Sequence, residues 1–249
     1  MARFVLGCPR SLHALVCVIV CMAPYAASAQ IPDKFTNLKV LSKDISKREL
    51  VSVMRGFAGG LGVRCNHCHV GEDAATLKNF DFASDSKAAK QTARVMMAMV
   101  REINTTVKTK SGVKDPVGVQ CVTCHHGITR PEQIEDVLKS VIVKDGVAAS
   151  VKKYRELREK NYGSATYDFK PGPLAMVAEW LTGRKDYDGA IAIMQLALEL
   201  NPGEAYGYNL LGRIQQTKGD KAGAIASYKR AIELDSTDVW SKELLKKIE

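Results

Sequence analysis

The sequence predicts an all-α fold, and three observations support this prediction. Apolar residues recur at helical spacing in the stretch that follows Ser46 and again between Ala89 and Ile103. The C-terminal part repeats itself with an offset of 34 residues, a period typical of paired-helix repeats. No βαβ pattern accompanies the cysteine motifs described below. We therefore expect helices throughout the chain.

Residues 1–29 have the features of a secretory signal peptide. Two arginines precede a short apolar run, and Ala27-Ser28-Ala29 forms a small-residue cleavage site. The apolar run is too short for a comfortable membrane span, and no cysteine in it has the small-residue context of a lipoprotein anchor. We expect cleavage before Gln30 and a periplasmic mature protein.

Cleavage concentrates the remaining cysteines and histidines in two short clusters. The clusters read CNHCH, from Cys65 to His69, and CVTCH, from Cys121 to His125, with one further histidine directly after the second. They contain every cysteine and histidine of the mature chain: Cys65, Cys68, Cys121, Cys124, His67, His69, His125 and His126. The distribution points to two copies of one kind of site.

The spacing C-x-x-C-H is the attachment signature of c-type haem. Two thiols one turn apart add to the vinyl groups on one edge of the porphyrin, and the next histidine becomes the proximal iron ligand. Disulfides would not explain the two histidines, and a four-cysteine zinc site would have to span the long gap between Cys68 and Cys121. A redox-active C-x-x-C would need a βαβ unit. We therefore predict two covalent haems, with His69 and His125 as proximal ligands.

Methionine is the expected sixth ligand, because His67 and His126 are badly placed to reach the far face of their own haems. For the first site, Ser46 and Glu49 form a capping box that starts a helix. The apolar face of that helix consists of Leu50, Val53, Met54, Phe57 and Leu61, followed by glycines that break the helix before the first motif. Met54 is the candidate ligand on this face.

The second site has two methionine candidates. A helix capped by Ser84 or Asp85 is predicted from about residue 86 to 104, and Met96 and Met99 share its apolar stripe. Met97 points about 100° away from that stripe, since consecutive helical residues differ by this angle. Periodicity alone does not separate Met96 from Met99.

The stretches VMRGFAGGLGVRCNHCH, TARVMMAMVREIN and VQCVTCHHG together resemble the photosynthetic reaction-centre cytochrome c subunit family over about residues 35–130. The resemblance implies that Met54 ligates the first haem and that Met96, the first methionine of a Met-x-x-Met pair ahead of an Ile-Asn, ligates the second. Met99 is the alternative. That family carries four haems in two pairs, whereas this chain has one pair of motifs, so membership in a photosynthetic complex does not follow.

The regions after the motifs are haem-free and helical. We assign residues 30–130 to a dihaem cytochrome c domain, 131–170 to a connector of two helices separated near Gly146, and 171–249 to two tetratricopeptide (TPR) repeats with a capping helix. The repeats align at an offset of 34 residues, with Gly189 on Gly223, Ala190 on Ala224, Ala197 on Ala231, Leu200 on Leu234 and Tyr206 on Trp240. A protein-binding surface or a stabilising appendage would both account for the repeats.

These features predict an electron carrier rather than an enzyme. His/Met ligation occupies all six iron positions, so the metal exchanges electrons without binding substrate. Loss of two arginines with the signal peptide lowers the formal charge from +9 to +7. The propionates of the haems would offset much of the remaining positive charge. We therefore expect redox proteins as partners and not nucleic acid. The alternatives are a dihaem peroxidase-like enzyme, an electron-donating subunit of an oxidoreductase complex, and a haem-containing sensor or scaffold.

Overall fold

The computed structural model describes residues 31–249, so the predicted signal peptide lies outside the described residues. The described chain is all-helical, as predicted, apart from two isolated β-bridges in the loop after the first motif. None of its helices is both long and apolar enough to cross a bilayer.

Ten α-helices follow one another along the described chain. They are α1 (Lys47–Leu61), α2 (Ala88–Lys110), α3 (Cys121–His125), α4 (Ile134–Asp145), α5 (Val147–Asn161), α6 (Pro171–Gly183), α7 (Tyr187–Leu200), α8 (Ala205–Lys218), α9 (Lys221–Leu234) and α10 (Val239–Ile248). Residues Cys65–His67 form a single 3₁₀ turn between α1 and α2.

Helix α1 begins where its capping sequence predicts. The Ser46 hydroxyl accepts a hydrogen bond from the Glu49 amide at 3.2 Å. Of the three glycines that are predicted to break the helix, Gly59 and Gly60 lie within it, and it ends at Gly62 in the left-handed conformation (φ 64°). This end is seated on the second motif, because the Gly127 amide donates to the Gly60 carbonyl at 2.9 Å.

Alanine at position 62 is expected to destabilise the protein. A Cβ there would lie 2.0 Å from the Gly127 carbonyl oxygen, and the left-handed backbone itself disfavours a side chain by about 1–2 kcal/mol. We expect Gly62→Ala to lower the free energy of unfolding by at least that amount in urea denaturation. Gly59→Ala is the control, since nothing lies within 4 Å of its Cβ position. Equal stability of the two variants would contradict the close approach.

Helix α2 differs from its predicted bounds. It begins at Ala88 without a side-chain cap and extends to Lys110, six residues beyond the predicted end. The predicted cap at Ser84 or Asp85 is wrong, because the Asp85 carboxylate is engaged by basic side chains instead.

The apolar core lies in the C-terminal part, from α4 to α9. Its fully buried members include Ile134 and Leu138 of α4, Leu174 of α6 and Ile193 of α7. Helices α6/α7 and α8/α9 form two hairpins related by the 34-residue offset. Asp186 and Asp220 show this equivalence directly, because each caps the second helix of its hairpin with a 2.9 Å bond from the amide three residues later.

Close helix approach in the second hairpin depends on a missing side chain. A Cβ on Gly212 would lie 2.6 Å from the ring of Tyr228, which is completely buried and donates its hydroxyl to Gln216 at 2.7 Å. The terminal helix α10 packs on α9 and leaves Trp240 73% exposed.

Candidate haem site

Residues 31–133 surround a cavity instead of a core. Among these residues only Leu50 belongs to the buried apolar set, whereas the cavity they enclose has a volume of about 810 Å³. Its lining is mostly apolar and includes side chains of both C-x-x-C-H motifs: Cys65, His67, Cys68, His69, Cys121 and His125. The structure therefore brings the two motifs to one cavity.

The four cysteines of the motifs form no disulfides among the described residues. Cys65 and Cys124 are exposed, whereas Cys68 and Cys121 are half-buried. Burial raises the pKa of both half-buried thiols, and at Cys68 the nearby Lys87 ammonium opposes the shift. The first motif therefore brings both of its thiols to the cavity wall, whereas the second brings only Cys121.

The second motif holds its histidine by a hydrogen bond. Helix α3 is closed at its start by Gln120 and Thr123, which exchange side-chain and backbone bonds. His125 is 9% exposed, and its Nδ1 lies 2.9 Å from the carbonyl oxygen of Ile128. As the donor in that bond, Nδ1 leaves Nε2 as the unengaged nitrogen, which is how proteins usually prepare a histidine to ligate a metal.

The first motif holds its histidine differently. His69 Nδ1 is buried without a hydrogen-bond partner, and its ring packs against Phe82 with 5.2 Å between ring centroids. Burial, followed by the positive charge of Lys90, lowers the pKa of His69, and the Phe82 main chain opposes this shift. A neutral imidazole, the form that binds iron, is therefore favoured at this position.

Three of the four discussed methionines line the cavity. Met54 of α1 and Met96 of α2 are both half-buried in its wall. Met97 lines it as well, although it lies about 100° around the helix from Met96. Met99 is 43% exposed and is not part of the lining.

Asn104 is a residue of the site that sequence spacing does not predict. Its side-chain amide donates to the Val119 carbonyl at 2.9 Å, and its side-chain oxygen accepts from the Val119 amide at 2.6 Å. This pair fixes the methionine-bearing helix α2 to the segment just before Cys121. In the sequence, Asn104 is marked only as part of the Ile-Asn that follows the Met-x-x-Met pair of the family pattern. That pattern does not indicate its contact with Val119.

The cavity wall also carries an excess of positive charge. Six basic side chains line it, against a single acidic one, Asp81; the basic ones are Lys34, Lys39, Arg55, Arg64, Lys90 and Arg94. Haem is largely apolar but carries two carboxylates. A mostly apolar cavity that has basic side chains, cysteine pairs and two histidines in its wall fits that group.

Asp85 joins three segments around the first motif. Its carboxylate lies 2.8 Å from Arg94, 2.6 Å from Lys39 and 3.3 Å from Lys90, and Asn37 donates to it at 2.8 Å. The Arg94 bond, followed by the Lys39 bond, holds the pKa of Asp85 well below its usual range. The N-terminal segment, the loop before α2 and α2 itself are thereby tied together.

This pairing predicts a specific pH dependence of stability. Since the folded pKa of Asp85 is depressed, its contribution is present above the unfolded pKa of about 3.9 and is lost as the pH falls through the folded value. We expect Asp85→Asn to be less stable than wild type at pH 7, with the difference shrinking below about pH 4. Urea denaturation between pH 3 and 7 measures this. Asp44→Asn is the control, because Asp44 is exposed and makes no ion pair within residues 31–249.

The connector touches the second motif. The Thr166 hydroxyl, in the loop before α6, donates to the His126 carbonyl at 2.8 Å. Helix α6 begins five residues later, at Pro171. The second motif is therefore the one linked directly to the C-terminal helices.

A helical chain that brings two C-x-x-C-H motifs to one apolar cavity defines a cytochrome of the c type. The family described as photosynthetic reaction centre cytochrome c subunit matches residues 16–188, which is more than half of the chain. The chain belongs to this family of electron-transfer proteins, and the predicted resemblance is confirmed. The tetratricopeptide repeat pattern matches residues 205–238, which confirms the repeat prediction for this segment.

Solved structures similar to the chain include three with low identity. The first TPR domain of the human RPAP3 protein is 16% identical, with 46% of this chain and 86% of that chain covered and a TM-score of 0.33. The Sgt2 TPR domain from Aspergillus fumigatus is 15% identical, covering 46% and 74%, with a TM-score of 0.33. MamA is 12% identical, covering 68% and 84%, with a TM-score of 0.34. No curated protein matches the sequence.

Proposed function

We propose that the protein is an exported dihaem cytochrome that carries electrons between redox partners and docks on them through its TPR repeats. The observation that carries this proposal is the contrast within residues 31–133, where a single buried apolar side chain accompanies a cavity of about 810 Å³. A folded domain of this size needs an apolar interior. Haem would supply it.

The chain's own residues have distinct roles in this proposal. The cysteine pairs Cys65/Cys68 and Cys121/Cys124 would attach one haem each, and His69 and His125 would be the proximal ligands. When bound, haem iron supplies one-electron exchange between its ferric and ferrous states. The apolar wall excludes water, which keeps the change of solvation on electron exchange small.

Met54 and Met96 are the proposed distal ligands. Both belong to the cavity wall, whereas Met99 lies outside it and is 43% exposed. The position of Met97 in the same wall makes it a further residue to test. A thioether ligand raises the reduction potential, which suits a carrier that accepts and passes on electrons.

Substitution of Met96 tests the second ligand. We expect Met96→Ala to keep both haems covalently attached, to turn one of the two irons high-spin and to weaken the methionine-to-iron charge-transfer band. Met99→Ala is the matched control on the same helix and is expected to leave both irons low-spin. If the two variants exchange these results, Met99 is the ligand.

Export and docking complete the proposal. The signal-peptide features of residues 1–29 and the attachment of c-type haem outside the cytoplasm support a periplasmic location. Exposed aromatic side chains at equivalent positions of the second repeat and the capping helix, Tyr206 and Trp240, support a protein-binding role.

Capture of partners from periplasmic extract tests the docking role. We expect the mature protein to retain a redox protein, and the double variant Tyr206→Ala/Trp240→Ala to lose most of it while keeping the wild-type haem spectrum. Equal capture by both proteins would place the docking surface elsewhere.

A further inference from the structure

A buried lysine holds the loop of residues 70–84 against the first motif. Lys90 of α2 is only 9% exposed. Its ammonium donates to three successive carbonyls of the loop, those of Phe82 at 2.9 Å, Ala83 at 3.2 Å and Ser84 at 2.7 Å. An ammonium has three N–H donors, so the loop uses all of them. Lys90 therefore lines the cavity but has no donor left for a bound group.

The charge of Lys90 is balanced within the same structure. The Asp85 carboxylate lies 3.3 Å from its ammonium and directly follows the last of the three carbonyls. Removing the ammonium would leave those carbonyls without their donor and Asp85 with one cation fewer. The loop would then lose the contacts that fix its C-terminal end to α2.

The loop brings an aromatic pair to His69. Phe82, whose carbonyl is one of the Lys90 acceptors, places its ring edge-on to the imidazole, with an interplanar angle of 65°. Phe80 packs behind Phe82, with 5.3 Å between ring centroids. Phe80 in turn lies over Gly71, where a Cβ would be only 2.1 Å from its ring.

The two proximal histidines are held by different contacts: Phe82 packs against His69, whereas a hydrogen bond orients His125. A ligating histidine is normally fixed by a bond from its second ring nitrogen, as His125 is by Ile128. His69 Nδ1 is buried and has no such bond. Phe82 therefore supplies the packing contact against the His69 ring, and its position affects the orientation of that ring.

We propose that Lys90 is a positioning residue for the first haem site, acting through the loop and Phe82 on His69. This inference rests on the proposed function, in which His69 binds the first iron. Release of the loop would loosen the imidazole and admit water beside it. Water favours the more highly charged ferric state, so the reduction potential of the first haem would fall.

Three variants separate loop position from charge. Lys90→Met removes the ammonium and keeps the length of the side chain. Gly71→Ala displaces Phe80 without changing any charge. Lys108→Met is the control, since Lys108 is an exposed lysine of the same helix.

Two measurements on the haem-loaded protein are needed. Amide hydrogen exchange in residues 70–84 is expected to accelerate about tenfold or more in both Lys90→Met and Gly71→Ala. The first variant loses the hydrogen bonds from a charged donor, and the second loses the packing of Phe80 over residue 71. In both variants the reduction potential of the first haem is expected to fall by about 59 mV, which corresponds to a tenfold change in the equilibrium between its ferric and ferrous states. The second haem and the Lys108→Met variant should show neither change.

The possible contrary outcomes are distinct. Unchanged exchange in Lys90→Met would overturn the proposal, and so would faster exchange with an unchanged potential. A fall in potential in Lys90→Met but not in Gly71→Ala would assign the effect to charge rather than to loop position and would also overturn it. Absence of haem from Cys65 and Cys68 in the wild type would contradict the proposed function itself, and it is visible by mass spectrometry before any variant is made.

Discussion

Serine at both Cys121 and Cys124 is expected to remove one of two haems and to leave the other in place. Thioether attachment requires the thiols, and the pair Cys65/Cys68 belongs to a separate motif. Intact mass and haem absorbance per chain should both show a single haem. The reciprocal variant at Cys65 and Cys68 should give the same content with a different spectrum, because the two histidines have different surroundings.

A cysteine in the predicted signal peptide provides the control. Cys17→Ser should leave both the mass and the haem content of the mature protein unchanged, since residue 17 is expected to be removed on export. Wild-type haem content in either double-serine variant would contradict the assignment of the motifs. These variants also assign the two reduction potentials to their sites.

Alanine at Tyr228 is expected to lower the free energy of unfolding of the C-terminal helices by about 3–5 kcal/mol. The ring is completely buried, fills the space over Gly212 and donates its hydroxyl to Gln216 at 2.7 Å. Urea denaturation followed by far-ultraviolet circular dichroism measures the loss. The haem spectrum should not change, because this ring lies in the repeats and not in the cavity wall.

Tyr206→Ala is the matched control for this change. Tyr206 is the same residue type in the same repeat but is 54% exposed, so we expect a change in stability within about 0.5 kcal/mol. A comparable loss in both variants would show that burial of Tyr228 does not decide the stability of this hairpin.

The fold was predictable where short-range chemistry decides it. The capping box at Ser46 starts α1 as expected, and the 34-residue offset places the two aspartate caps of the repeats at equivalent positions. The stretches around the two C-x-x-C-H motifs, together with the methionine helix, carried the resemblance to the family that matches the chain. Each of these signals lies within a few residues of its effect or repeats at a fixed period.

Features of the site that depend on distant partners were not predictable. Asp85 has the composition of a helix cap, yet it binds Arg94 and Lys39, which no local pattern places beside it. The position of Met97 in the cavity wall was not predictable, because helical periodicity gives an angle but not the width of the cavity that α2 faces. The contact of Asn104 with Val119 joins residues separated by a loop whose path the sequence does not specify.

The two motifs have the same spacing but different surroundings, and this difference predicts the direction of electron transfer between the two proposed haems. A carbonyl acceptor at His125 Nδ1 makes that imidazole a stronger donor to a bound iron and stabilises the ferric state. His69 has no such acceptor, and the positive charges of Lys90 and Lys87 act on it. With the proposed ligands, the first haem is therefore expected to have the higher reduction potential, so that an electron moves from the second haem to the first and then to a redox partner.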